Sequence, residues 1–344
     1  MKDALTEIVG NRDLRRRLAD DVLAGRLPHA CILEGPEGSG KHTVAKMTAA
    51  ALVCASHHDP ASPIPCLRCL PCRKVLEDKC PDLITVGCED KATIGVDAVR
   101  FLREDVRVVP NDSEHKIYVI EDADKMTVQA QNALLLTLEE PPAYVHFFLL
   151  CKNAGALLET IRSRAPVFRT EPITTEEIDR YLCERDRRAA QMKLTDPKGY
   201  AELLMASGNG IGNALAYLEP KTFNPIRQAR ELAAQFIRVA IREEGAKEIL
   251  PLLSRFSTKR EPLQGQLQLV SQALRDLILL KKSDDAPLTF YPDRNEAIEL
   301  CDRTSLGFLY RFHQAIDGAM EENNRNANVR LMMLKMALTA DLLS

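Results

Sequence analysis

The chain has 344 residues, a formal net charge of −3 and 28% charged residues. That length suits two or three domains of ordinary globular composition, and the charge balance excludes a chain that binds nucleic acid through a bulk basic excess. No apolar run reaches about 18 residues, so no transmembrane helix is expected. The opening Met1-Lys2-Asp3-Ala4-Leu5-Thr6-Glu7 is amphipathic and acidic, unlike a secretory signal. A cytoplasmic setting follows as the expectation, in which ten cysteines serve as metal ligands or reduced core thiols before disulfides.

Residues 14–23 have helical spacing and lead into an apolar strand at 30–34. Gly35-Pro36-Glu37-Gly38-Ser39-Gly40-Lys41-His42-Thr43 follows, then a helix over 44–54. This is a Walker A phosphate loop in its proper strand–loop–helix setting. Gly35, Gly38 and Gly40 let backbone N–H groups close on phosphate, and Lys41 supplies a point charge. The residue after the lysine should carry a hydroxyl for Mg²⁺; here it is His42, with Thr43 one place late. Successive helical residues point about 100° apart, so Thr43 is a poor substitute.

Cys54, Cys66, Cys69 and Cys72 come next. Four thiolates suit a closed, structural Zn²⁺ site. An iron–sulfur motif would need its next cysteine three residues after Cys72, whereas Cys80-Pro81 comes later, so the spacing favours zinc. His57 and His58 are lower-ranked substitutes for Cys54, while Cys31, Cys88, Cys151, Cys183 and Cys301 lie on apolar patterns and read as core.

Strands are expected at 83–87, 117–121, 146–151 and 166–169, separated by helical stretches such as 97–106 and one capped by Thr127 and stopped by Pro141-Pro142. Strands alternating with helices imply a parallel sheet covered on both faces. The strand before Glu121-Asp122 ends in two acids, the Walker B form, but with Glu and Asp reversed. A one-methylene change moves a carboxylate by about 1 Å, enough to cost on the order of a hundredfold in rate. Thr160-Ile161-Arg162-Ser163-Arg164-Ala165-Pro166 offers arginines suited to a transferring phosphoryl group in a neighbouring subunit, or simply a solvated basic turn. Beyond about Pro172 strand signals fade; Thr174-Thr175-Glu176-Glu177 starts a helix, Asn224-Pro225 marks a boundary, and the remainder is helical except at 283–292.

Taken together, these segments resemble the delta-prime subunit family of the bacterial DNA polymerase III clamp loader. Ile8-Val9-Gly10-Asn11, Leu27-Pro28-His29-Ala30, Ile94-Gly95-Val96-Asp97 and Ile120-Glu121-Asp122-Ala123-Asp124-Lys125-Met126 are similar to family segments. The most specific is Ala130-Gln131-Asn132-Ala133-Leu134-Leu135-Leu136-Thr137-Leu138-Glu139-Glu140-Pro141-Pro142, shared with the gamma/tau ATPase subunit. The resemblance implies an α/β AAA+ P-loop module with a parallel sheet (1–171, zinc module inserted at about 54–72), a small helical lid domain (172–222) and an all-α collar domain (223–344) that assembles a five-subunit ring.

It further implies that Arg164, in Ser163-Arg164-Ala165, is an arginine finger acting in trans, with Ala165 replacing the family's cysteine. It supports the four cysteines as zinc ligands. In Ser207-Gly208-Asn209-Gly210-Ile211-Gly212-Asn213-Ala214-Leu215, Gly212 stands where an active subunit places an arginine on the γ-phosphate. The chain also ends at Ser344 without the long tail of tau. The expected function is a mostly non-hydrolysing stator that helps load the sliding clamp on primer-template DNA, with gamma/tau and delta subunits as partners and no membrane. ATP or ADP with Mg²⁺ is a conditional ligand, held by Gly35, Gly38, Gly40, Lys41, His42, Thr43, Glu121 and Asp122. The rivals are an active gamma/tau-type motor and a stand-alone P-loop phosphotransferase.

Overall fold

The structure, a computed structural model, describes residues 5–56, 59, 62–88, 93–208, 210–242 and 246–342. The chain divides into two compact units, one running up to Tyr181 and the other from Leu182 onward, apart from Gly210 and Ile211, which group with the first.

The first unit is an α/β module built on a parallel sheet. Helix α1 (Arg12–Leu23) precedes β1 (Ala30–Glu34), α2 (Lys41–Leu52), α3 (Leu70–Leu76), β2 (Leu83–Val86), α4 (Val96–Asp105), β3 (Lys116–Ile120), α5 (Val128–Glu139), β4 (Val145–Cys151), α6 (Glu159–Arg162) and β5 (Val167–Arg169). The five strands form one parallel sheet in the order β2-β3-β4-β1-β5. Alternation along the strands fills two cores. Cys31, Leu33, Ile117, Val119, Phe148 and Leu150 pack on the face covered by α1 and α2. Ile32, Tyr118, Ile120, Phe147 and Leu149 pack on the other, against α4 and α5 residues such as Leu102 and Leu134. Period-two side chains sort to opposite faces, and both are covered, so the strands read as continuous apolar runs.

The chain leaves β1 for the far edge at β2, while β1 itself lies between β4 and β5. The carboxyl end of β1 is therefore a topological switch point, where open α/β sheets place their ligands. The phosphate loop sits there.

Helix α7 (Thr175–Arg185) opens with the expected capping box. Glu177 N–H donates to Thr174 Oγ1 at 3.2 Å, and the Thr174 N–H donates to Glu177 Oε2 at 3.1 Å. The second unit continues through α8 (Arg187–Thr195), α9 (Pro197–Ala206), α10 (Ile211–Tyr217), α11 (Pro220–Ala240), α12 (Ala246–Leu253), α13 (Arg260–Leu280), α14 (Arg294–Asp302), α15 (Leu306–Asn324) and α16 (Val329–Thr339). Phe236 sits edge-on to Phe256 and Phe312 at 5.3 and 5.6 Å in a core drawn from α11 to α16.

The break expected at Asn224-Pro225 does not occur: α11 begins at Pro220 and runs through Pro225. A proline inside a helix forfeits one hydrogen bond. Burial of Phe223, Leu232, Ala233, Phe236 and Ile237 along the same helix offsets that loss. The turn-rich stretch after α13 is present, pinned by buried Asp276, which accepts from the N–H groups of Thr289 and Phe290 at 2.9 and 2.7 Å. No helix among the described residues is long and apolar enough to cross a membrane.

Candidate functional site

Gly38 and Gly40 have φ of 78° and 82°, the left-handed values that let the loop curl ahead of α2. A Cβ at Gly35 would run into the Thr170 hydroxyl. Ser39 is fully buried, its hydroxyl donating to the Pro36 carbonyl at 2.8 Å and lying 2.7 Å from Thr170 Oγ1. The loop is thus rigidly built and has the form of a phosphate cradle.

Its charged groups, however, are engaged within the chain. Lys41 Nζ donates to the Gly35 and Pro36 carbonyls, both at 2.7 Å. Burial lowers its pKa, and Lys152 nearby adds to that, while Cys151, Glu37 and Asp124 oppose it. Glu37 is paired with Lys152 at 2.8 Å, which holds the Glu37 carboxyl below its usual range.

His42 Nε2 stands 3.3 Å from Glu121 Oε1 at the end of β3. Asp122, in the left-handed region at φ 48°, pairs with Lys125 at 2.8 Å. Thr43 is exposed. Phosphate fits this loop; Mg²⁺ does not, because the hydroxyl position holds an imidazole, which favours softer ions over Mg²⁺. Gly212 lies on α10 in the second unit, with open space where a side chain would begin. Asn209 lies outside the described residues.

Arg164 follows α6, one turn of helix fixed by fully buried Ile161 and Ala165. Its Nη1 donates to the Thr160 carbonyl at 2.9 Å and to Ser163 Oγ at 3.4 Å, and Nη2 donates to Glu139 Oε1 at 2.7 Å. The Arg164 side chain is about one-third exposed, at 36%. Arg162 is also exposed. Ala165 is fully buried.

The sulfurs of Cys54, Cys66, Cys69 and Cys72 all lie within 4.8 Å of one another. A tetrahedral zinc with Zn–S of about 2.3 Å needs sulfurs about 3.8 Å apart, so the four fit one ion with small adjustment. Backbone N–H groups of Cys66 and Cys69 donate to Cys54 Sγ and Cys66 Sγ, each at 3.4 Å, which favours thiolates. Burial raises the Cys66 thiol, but the N–H groups of Arg68 and Cys69 outweigh it and bring it to about 6. Burial raises Cys54 and Cys72. His57 and His58 lie outside the described residues. Of the remaining cysteines, Cys31, Cys80, Cys151 and Cys301 are buried, and Cys88 and Cys183 half-buried.

Three contributors escape a reading of the sequence. Lys152, just past β4, crosses 115 positions to reach Glu37; its signal is a cation directly after a fully buried strand. Glu34 takes the N–H of Ala154 at 2.9 Å and Arg169 Nε at 2.9 Å, tying β1, β5 and the loop after β4 together. Gln131, buried on α5, donates to the Met126 carbonyl at 3.2 Å and accepts from the Leu158 N–H at 2.8 Å, joining α5 to the segment ahead of Arg164.

Residues 10–174 match the family model described as "DNA polymerase III, delta subunit". Among curated proteins the chain is 29% identical to DNA polymerase III subunit tau of Bacillus subtilis over 214 residues, 62% of this chain and 37% of that one. It is 30% identical to subunit gamma of Buchnera aphidicola from Acyrthosiphon pisum over 176 residues, 51% of this chain and 47% of that one. The matched segment spans less than half of each of these relatives. A solved DNA polymerase III gamma-subunit-related protein from Thermotoga maritima aligns with a TM-score of 0.48 at 16% identity, over 96% of this chain and 99% of that one.

Proposed function

We propose that this chain, which matches the DNA polymerase III delta-subunit family over residues 10–174, is a delta-prime-type stator of the AAA+ clamp-loader family. In this reading it hydrolyses little or no ATP itself. It presents Arg164 to the ATP of a neighbouring gamma/tau subunit and helps open the sliding clamp and place it on primer-template DNA. The delta subunit is a further partner, and a cytoplasmic location belongs to the same reading.

The observation that carries the proposal is an asymmetry. Arg164 is held by three oxygens yet remains exposed, as a residue used by a neighbour should be. At the chain's own phosphate loop, Lys41 is tied to loop carbonyls and His42 meets Glu121; by the resemblance, Gly212 stands in the sequence where an active subunit carries an arginine. Zinc on Cys54, Cys66, Cys69 and Cys72 would fix the two ends of a loop that has little apolar content of its own. The lid (172–222) and collar (223–344) remain the proposed division of the helical part, with their junction inside α11 rather than at a break.

Steady-state ATP turnover by the purified chain, alone and with its organism's gamma subunit, tests the reading. The stator turns over negligibly alone and raises turnover in the mixture. A motor role has one observation in its favour: the matching relatives carry the names gamma and tau. Robust hydrolysis by the isolated chain would establish that role instead.

A further inference from the structure

We infer that Glu139 is the positioning residue of the Arg164 guanidinium. The inference rests on the reading of Arg164 as a finger. An arginine has five N–H groups. Three are occupied here: Nη1 donates to the Thr160 carbonyl and Ser163 Oγ, and Nη2 to Glu139 Oε1. The Nε–H and one Nη2–H are left for a phosphate.

Two of the three acceptors belong to the same short turn as Arg164 and move with it. Among the described residues, Glu139 is the one acceptor from another element, 25 positions away. It is the last residue of α5, whose inner side is set in the core by Leu134 and Leu138. Immediately beyond it Glu140 and Pro141-Pro142 stiffen the exit. A carboxylate at 2.7 Å from Nη2 therefore ties the flexible end of Arg164 to a rigid helix. Without it the guanidinium keeps its charge but loses its direction, and a long side chain on the surface samples many rotamers.

Both partners are well exposed, at 36% and 45%, so the pair adds little to folding stability. Its consequence is in catalysis at the neighbour. A finger misplaced on the scale of 1 Å costs up to about a hundredfold in rate. The loss should fall on kcat, because the finger meets charge that develops in the transition state.

The test is ATP hydrolysis by the complex reconstituted with the gamma subunit. Glu139→Ala should lower kcat roughly ten- to a hundredfold, leaving the KM for ATP within about twofold. Glu139→Gln, which keeps an acceptor oxygen at the same reach, should recover most of the rate. Glu140→Ala, a neighbour of like charge, should behave as wild type. If Glu139→Ala fails to fold, Glu139→Asp carries the same expectation through its shorter reach. Wild-type kcat in Glu139→Ala beside a slow Arg164→Ala overturns the inference and leaves the finger standing. A loss confined to KM or to assembly overturns it as well. An Arg164→Ala complex with wild-type kcat overturns the finger reading and this inference with it.

Discussion

The phosphate loop and the Arg164 turn lie on one module and are treated oppositely by it. In and around the loop the charged groups are satisfied from within the chain: Lys41 by loop carbonyls, Glu37 by Lys152, Asp122 by Lys125, and His42 by Glu121. At Arg164, a cation is anchored at one end and left with unused donors. A surface arginine held by three bonds has lost rotamer freedom that folding does not require, a cost that makes sense where a ligand from outside the chain uses it. On the proposed reading, the contrast separates a site closed on its own groups from one left open to a neighbour's ligand.

The sharpest way to break the contrast is Arg164→Ala. Loss of a dominant finger costs about 10³–10⁵ in rate. With several ATP sites in a loader the whole-complex effect should be smaller, yet it should exceed every other change considered. Thermal unfolding of the variant should stay near wild type, because an exposed ion pair contributes about 0–1 kcal/mol. Arg162→Ala is the control; equal effects from the two arginines would make the turn a mere basic patch.

Metal removal comes next and should act on one side only. The cysteine cluster sits at the carboxyl end of α2, the helix that the phosphate loop opens, and Cys72 Sγ donates to the Ala50 carbonyl at 3.5 Å. Elemental analysis should find one zinc per chain. Cys66→Ser should abolish it and raise hydrogen exchange in α2 and α3, while exchange around Arg164 stays unchanged. Iron in place of zinc, or protection lost equally at both sites, would contradict this.

The division between legible and illegible features is itself physical. All five strands fall within a residue or two of their apolar runs, since a sheet buried on both faces leaves an unbroken apolar signature. The Thr127 cap and the Thr174–Glu177 box are legible because a cap joins residues three apart. The four cysteines are legible by spacing. Glu139 under Arg164, Lys152 over Glu37 and Arg169 on Glu34 are not, because they join residues 25, 115 and 135 apart and no periodicity marks such pairs. Pro225 misleads in the other direction: a local breaker signal is overridden by the tertiary packing of α11.

An acid shift should strike both regions alike, and so separates global from local effects. His146, on β4, is buried between His29 and His115, with ring centroids at 5.6 and 5.2 Å. Burial, with His115 and His29 adding, lowers its pKa to about 4. Because the folded pKa is depressed, the unfolded chain takes up a proton first as pH falls. Stability from this group is whole above pH 6.5, declines between 6.5 and about 4, and then levels. The full effect is on the order of 3 kcal/mol. His146→Leu should flatten that part of the stability profile relative to wild type in chemical denaturation; an unchanged slope from 6.5 to 4 would remove His146 as its source.

The smallest expected effect tests the nucleotide side alone. His42→Thr restores a hydroxyl after the lysine and releases Glu121 from the imidazole at 3.3 Å. The phosphate cradle already has its form, so Mg²⁺-dependent nucleotide affinity should rise, by about tenfold at most since one ligand of several is restored. Calorimetry with ADP, with and without Mg²⁺, measures this. Turnover should remain near that of wild type, because on the proposed reading the Glu121-Asp122 order and Gly212, both untouched, also withhold parts of the catalytic constellation. Stimulation of the neighbour's ATPase should also be unchanged, because Arg164 and Glu139 are separate from the altered contact. A His42→Thr chain that hydrolyses ATP at a motor subunit's rate would mean that a single imidazole silenced an otherwise complete site. The two regions would then differ by one substitution rather than by function.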